Sequence, residues 1–299
     1  MADLITKLEM LIALAQEQHF GRAAESLGIT QPTLSAGLKQ LEAHLGVKLV
    51  QRGSRFGGLT PEGQRALVTA RRMVGDARRL RDEMRAKRDG LTGRLRLAVI
   101  PTALTWAARL ATQVNRAQPG IGFDIRSAPS QSVLQMLENL EIDAGITYLD
   151  NEPLGRVMSV SLYREDYRLV CHRDHPLAGH ARVTWADLAR QKLCLLTPDM
   201  QNRRIINRHF MEAGAAPTAM IDSNSTVVLA ATVATGGWVT ILPTDMAEFL
   251  VEGRALTSVA IADRARAHEI GLITEHQEPH TPVLQCLLRE AAALARPSV

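Results

Sequence analysis

Cysteine is scarce in this chain of 299 residues: Cys171, Cys194 and Cys286 are few, scattered and odd in number, and none forms a CxxC pair. The pattern points away from a disulfide framework and toward buried free thiols in a reducing cytoplasm, with a redox-sensing thiol the less favoured reading. Long apolar runs are also missing. No stretch approaches the roughly 18 residues that would span a bilayer, and MADLITKLEM lacks the basic-then-apolar pattern of a signal peptide, so no membrane partner is expected. Catalytic signatures are absent as well: there is no GxSxG, HExxH, GxxxxGK[ST] or helix-opening GxGxxG. His172, His175 and His180 near Cys171 lack ordered metal spacing and read as loop residues; Asp143 and Asp150 read as strand-end residues, not an acid–base pair. The expectation is a non-enzyme without metal or cofactor.

What is present is a globular composition, 46% apolar and 22% charged. Residues 1–90 carry 15 Lys plus Arg against 10 Asp plus Glu, whereas residues 91–299 carry 20 against 21. A basic excess confined to one end suits a phosphate-binding module joined to a neutral domain.

The stretch Phe20–Leu49 reads as two short helices and a tight turn. Gly21 to Leu27 forms the first, and Gly28 supplies the left-handed conformation that ends it. Thr30 is the expected N-cap of the second, with Pro32 in its first turn. Leu34, Leu38, Leu41 and Leu45 share one face. Gln31, Thr33, Ser35, Ala36, Lys39 and Gln40 are left outside, and small hydrogen-bonding groups at the start of a second helix suit a DNA major groove. An ordinary helical hairpin facing water is the alternative at this point. Leu4, Leu8, Leu11, Ile12 and Ala15 outline a preceding helix that completes a three-helix core.

After Gly46, VKLVQRGSRFGGLT reads as a small hairpin or wing carrying Arg52 and Arg55, which could contact phosphates or simply be solvated. Thr60 then caps a long helix with Pro61 at its first position and no further proline before Asp89. Ala66, Ala70, Met73, Ala77, Leu80 and Met84 step by four and three, a heptad seam suited to pairing with a second copy.

On these residues the chain resembles the LysR-type transcriptional regulators. The resemblance rests on Phe20, Ala23, Ala24, Leu27, Gln31, Pro32, Leu34, Ser35, Leu38, Leu41, Glu42, Leu45, Gly46, Leu49, Arg52, Leu59, Thr60 and Gly63. It is specific because it couples helix-turn-helix, wing and linker helix in fixed order. Val50 replaces the usual Phe of the wing, leaving less aromatic packing there, and Gly37 is an unusual helix residue. The resemblance implies a winged helix-turn-helix over residues 1–60, a linker and dimerisation helix over 61–91, and an effector-binding domain over 92–299.

The C-terminal part alternates strand and helix: Leu95–Ile100, a helix through Val114, Ile121–Arg126, a helix with Val133 to Leu140, then Asp143–Thr147. The pattern restarts at Leu169–Cys171 and continues through Leu193–Leu196, Ala219–Asp222 and Val239–Leu242 to His268–Thr274 and a closing helix Pro282–Ala295. This is the βαβ alternation of parallel α/β sheets. The resemblance implies two lobes like those of periplasmic binding proteins, one at about 92–163 plus 268–299 and the other at about 164–267. Ligands in such sheets lie beyond the carboxyl ends of the strands. That rule selects Thr102, then Ser130, Gln131 and Ser132, then Thr197 to Arg203 including Asn202, positions that also line the effector cleft in the family. Hydroxyls and amides at helix N-termini with Arg203 nearby favour a small anion, a carboxylate first; the alternative is that they are N-caps and nothing more.

The reading is therefore a cytoplasmic, effector-responsive DNA-binding regulator. Gln31, Pro32, Thr33, Ser35 and Lys39 with Arg52 and Arg55 would bind double-stranded DNA at an inverted repeat. Ala70, Met73, Ala77, Leu80 and Met84 would join a homodimer, and the family implies tetramers as well. The competing reading is an α/β solute-binding or enzymatic protein whose N-terminal helices only mediate assembly; a steep salt dependence of DNA binding separates the two.

Overall fold

A computed structural model describes residues 2–52, 56–89, 91–150, 153–262, 267–276 and 280–295. It divides into two compact units, Met1–Gly90 and Leu91–Val299.

The first unit contains α1 (Ala2–Glu17), α2 (Phe20–Ser26), α3 (Gln31–Leu45), β1 (Val50–Arg52), β2 (Phe56–Leu59) and α4 (Pro61–Asp89). Helix α2 begins one residue before the expected Gly21 because His19 caps it, its Nδ1 accepting from the Gly21 and Arg22 amides at 3.1 and 3.3 Å. Gly28 has φ of 65° and Gly46 φ of 70°, so both helix ends turn through the left-handed region. Thr30 caps α3 by accepting from the Thr33 amide. Leu34, Leu38 and Leu41 are fully buried with Leu8, Leu11, Leu14, Ala23, Ala24 and Leu49, while Leu45 stays 44% exposed, so the buried face ends a turn early. Each buried leucine contributes about 1.5–3 kcal/mol. The odd residue Gly37 now has a cause: a Cβ there would stand 2.3 Å from the Met10 sulfur, where α1 and α3 approach closely. The wing is an antiparallel pair, and Phe56 on β2 meets Phe20 edge-on at 6.1 Å, an aromatic contact for the wing that the replacement at Val50 does not foreshadow.

The second unit begins with β3 (Gly93–Val99), a 3-10 turn Pro101–Ala103, α5 (Leu104–Ala117), β4 (Ile121–Ser127), α6 (Ser130–Glu138) and β5 (Ala144–Tyr148). It continues with β6 (Val157–Glu165), β7 (Tyr167–His172), a 3-10 turn Pro176–Gly179, β8 (Arg182–Val183), α7 (Trp185–Leu188), β9 (Cys194–Leu196), α8 (Gln201–Glu212) and β10 (Ile221–Ser223). The chain closes with α9 (Thr226–Ala234), β11 (Val239–Pro243), α10 (Thr244–Val251), β12 (Leu256–Ile261), β13 (His268–Glu275) and α11 (Pro282–Leu294).

Strand order β4-β3-β5-β13-β6 makes one sheet; β11-β7-β12-β8 and the pair β10-β9 form the other lobe. The chain passes between the lobes twice, at Asp166 and between β12 and β13. The sheets are not uniformly parallel, as the alternation alone would suggest. β3 runs parallel to β4 and β5, but β13 is antiparallel to β5 and β6, and β7 is antiparallel to β11 and β12. Strands β6, β8 and β12 and helices α7 and α10 have no counterpart in the sequence expectation. β6 lies at a sheet edge with several half-buried positions, so no run of apolar residues marks it.

Candidate functional sites

On the first unit, the outer surface of α3 is formed by exposed Gln31, Pro32, Thr33, Ala36, Lys39 and Gln40, with Ser35 half-buried among them. The Thr30 and Thr33 hydroxyls bond each other at 2.9 Å, which fixes the first turn of α3. Opposite this surface the helix is pinned by Glu42, 4% exposed, whose Oε1 accepts from the Leu49 and Val50 amides at 3.0 and 3.3 Å. In the sequence Glu42 stands out only as a family-matching position; its task is to tie α3 to the start of the wing. Thr60 caps α4 through the Gly63 amide at 2.9 Å and donates to the Lys48 carbonyl at 2.6 Å. Of the wing arginines, Arg52 ends β1, but its side chain and the whole of Arg55 lie outside the described residues.

Along α4, the expected seam divides. Ala70 is fully buried in the unit's own core together with Leu67 and Val74. Met73, Leu80 and Met84 are exposed at 38%, 59% and 52%, with Ala77 half-buried between them.

In the second unit, Thr102 and Ser130 follow β3 and β4, whose ends are joined by an Ala128 amide to Val99 carbonyl bond of 3.0 Å. Both side chains are 1% exposed, and neither hydroxyl has a hydrogen-bond partner. Gln131 is exposed and Ser132 half-buried on the next positions of α6. In the other lobe, Thr197 and Asn202 flank the start of α8, and the Thr197 hydroxyl and both polar atoms of the Asn202 amide are buried without partners. No side chain caps α6 or α8. The N-cap alternative therefore fails for Ser130 and Thr197, and the first-turn amides of both helices carry no capping oxygen. Arg203 is engaged within its lobe: Nη1 donates to the Leu196 carbonyl at 2.7 Å and to Asp222, and Nε to Asn207 at 3.0 Å. Arg204 bonds Gln201 and the Asp199 carbonyl.

Sequence reasoning misses a buried polar cluster beside Thr102. Glu165, at the end of β6, is 1% exposed, and its Oε2 accepts from the Tyr167 hydroxyl at 3.0 Å. Burial pushes its carboxyl up to about 7, against the opposing influence of the Tyr148, Tyr167 and Thr102 hydroxyls. The Tyr148 and Tyr167 hydroxyls are held well above the usual tyrosine range by burial and by the facing carboxylate. His268, the register partner of Glu165 on β13, stands 3.3 Å from Asp150, and burial lowers its pKa despite that neighbour. A second link crosses the lobes nearby, where the Trp106 indole of α5 donates to Asp245 of α10 at 2.6 Å and stacks on Tyr163 at 4.6 Å.

The three cysteines are all buried and free. Burial pushes the Cys171 and Cys194 thiols up to about 11 and raises that of Cys286. Among the described residues no three His, Cys, Asp or Glu side chains are grouped to hold a metal, and no helix is long and apolar enough to cross a membrane.

Residues 5–64 match the family of bacterial regulatory helix-turn-helix proteins of the lysR type, and residues 88–296 match the LysR substrate-binding domain. The chain belongs to the LysR family: it is a DNA-binding transcriptional regulator and not an enzyme. Among its relatives is the DNA-binding transcriptional dual regulator OxyR of Escherichia coli K12, 31% identical over 240 residues, 80% of this chain and 78% of that one. The hydrogen peroxide-inducible genes activator of Dickeya chrysanthemi is 30% identical, again over 80% of this chain and 78% of the relative. A full-length OxyR cysteine variant from Pseudomonas aeruginosa has a similar structure, with a TM-score of 0.73, 26% identity, and coverage of 98% of this chain and 99% of that one.

Proposed function

We propose that this regulator acts in the cytoplasm as an oligomer that reads an inverted-repeat operator through α3 and responds to a small anion, a carboxylate first, bound at Thr102, Ser130, Gln131, Ser132, Thr197, Asn202 and Arg203. Residues 1–60 read DNA, 61–91 carry the pairing helix and 92–299 hold the effector. In the groove, Gln31, Thr33, Ser35 and Lys39 meet base edges and phosphates, while Arg52 and Arg55 contact the backbone from the wing. Met73, Ala77, Leu80 and Met84 pair with a second copy, which sets two α3 helices on the two half-sites.

One observation carries the effector reading. The Ser130 and Thr197 hydroxyls and the Asn202 amide are buried at strand ends and helix starts with no protein partner, and the buried Thr102 hydroxyl, without a formed bond, also faces the Glu165 carboxyl. Leaving such groups unsatisfied costs about 1–3 kcal/mol each, so a ligand that accepts from them recovers that loss. Donors beside uncapped helix N-termini favour an acceptor of negative charge. Arg203 already faces Asp222 through Nη1, so these donors share charge recognition with its guanidinium.

Hydrogen peroxide is the inducer named for several relatives. Thiol oxidation requires a thiolate, and all three thiols here are buried with raised pKa values, so an anion is favoured over peroxide.

Thermal-shift screening of small carboxylates and inorganic anions against the full chain tests the reading. A ligand at a hundredfold its Kd stabilises by about 2.7 kcal/mol. The expected result is a shift that Thr102→Ala reduces; equal shifts in both proteins would remove Thr102 from the site.

A further inference from the structure

Both chain crossings between the lobes end on a buried ionisable side chain. Glu165 is the last residue before the crossing at Asp166, His268 is the first after the crossing from β12, and the two are paired in the sheet. A change in lobe arrangement that bends the chain at Asp166 moves the backbone next to Glu165.

At Glu165 burial favours the carboxylic acid, while the hydroxyls around it favour the carboxylate. From β7, Tyr167 supplies one donor to Oε2. Tyr148 of β5 and Thr102 of the 3-10 turn direct their hydroxyls toward the same carboxyl, yet Oε1 and both hydroxyls are buried without a formed hydrogen bond. These hydroxyls carry their own protons, so they can donate to a carboxylate as well as accept from an acid. The other ionisable groups give a negative charge little support. Asp150, after β5, repels it. Tyr163, on β6 itself, is stacked on Trp106, whose indole is bonded to Asp245 of α10. His209 of α8 packs edge-on to Tyr167 at 6.0 Å and contacts Glu212. His268 is turned to Asp150, and Arg208 acts on His268. On the chain next to the carboxyl, Arg164 is bonded to the Ala267 carbonyl, and the Asp166 carbonyl is held by Thr244. Among the described residues that face Glu165, no lysine or arginine is bonded to it.

We propose that the lobe crossing is a proton-operated switch, closed when Glu165 is protonated and loosened when its carboxylate forms between Tyr148, Tyr167 and Thr102. The switch acts on the ligand-free protein and does not depend on the nature of the effector. It gives the regulator a response to pH around neutrality through the backbone that joins its lobes.

The sign follows from proton linkage. In the unfolded chain Glu165 titrates at its ordinary 4.5, and in the junction at about 7, so folding takes up a proton between those values. Stability from this group is fully present below pH 4.5 and is lost as pH rises through 7. His268, lowered by burial, contributes the opposite slope, its stability being lost as pH falls below 6.5. Comparing the full chain with Glu165→Gln, which imitates the protonated acid, cancels His268 and every other group.

Thermal melts of both proteins from about pH 5 to 8.5 are the test. Wild type and Glu165→Gln should melt within a degree or so of each other at the acid end, and the variant should melt several degrees higher above about pH 7.5. A difference that stays constant over the range overturns the proposal. Should Glu165→Gln fail to fold, hydrogen exchange of wild type over residues 157–172, corrected for the intrinsic pH dependence, decides instead. Protection should fall with a midpoint near neutrality, and Tyr167→Phe, which removes the donor that favours the carboxylate, should move that midpoint upward. Constant protection, or an unmoved midpoint, sinks it.

Discussion

Glu42, 4% exposed, holds the wing against α3 through two backbone amides. Glu42→Ala leaves those amides buried without an acceptor, so the first unit should lose about 1–3 kcal/mol, measured by urea unfolding of the full chain. Gly63 shows the same closeness from the other side, since a Cβ there would stand 2.0 Å from the Leu49 carbonyl oxygen. Other local devices are legible in the sequence itself. Thr30, Gly28, Gly46 and Thr60 act on backbone within a few residues of themselves, so type and spacing suffice to read them. The partners of Glu165 cannot be read that way. Tyr148 and Thr102 lie 17 and 63 positions earlier, and only the sheet brings them together.

At the scale of the element, α3 and α4 each present one face to their own core and another outward. On α3 the outward face is small and polar, which predicts that Ser35→Ala weakens binding to the chain's own upstream DNA about five- to a hundredfold in a gel shift, from about 1–3 kcal/mol per good base contact. Effector-induced thermal shifts should be unchanged in that variant. On α4 the outward row is apolar and unusually open for a monomer, with Leu80 at 59% exposed. Leu80→Glu should drive the protein toward monomer in sedimentation velocity without lowering its melting temperature in the monomeric state, because Leu80 is absent from the unit's core. The heptad spacing sets the period of the row, but it cannot tell that Ala70 is covered within the unit's core and that the open part begins at Met73. That distinction depends on how the helices of the unit pack, a tertiary fact. Edge strand β6 is inconspicuous for a related reason: a strand paired on one side and half-exposed along its length need not advertise itself by apolar content.

Across the whole molecule, the relatives' association with hydrogen peroxide meets a chain whose thiols are all enclosed. Cys171 and Cys194 sit in separate apolar clusters, and Cys286 lies in the larger cluster with Cys171. Native protein should therefore react with an aromatic disulfide reagent only as fast as it unfolds, giving three thiols in guanidinium and almost none in buffer within minutes. Rapid reaction of one thiol in the native state would reopen the peroxide reading. The family and the two-lobed plan are legible in the sequence because they rest on motif order and alternation. The mixed strand directions are not, since direction is set by which strands cross between lobes.

Trp106 is one of three tryptophans in the chain, and its indole spans the lobes, stacked on Tyr163 in one and bonded to Asp245 in the other. Trp185 belongs to the same large cluster, 4.9 Å from the His209 ring. Trp106 thus reports on the contact between the lobes, and an indole whose N–H partner departs changes its emission. The protein carries its own fluorophore at the place where a signal has to pass, and its light can be followed without a label.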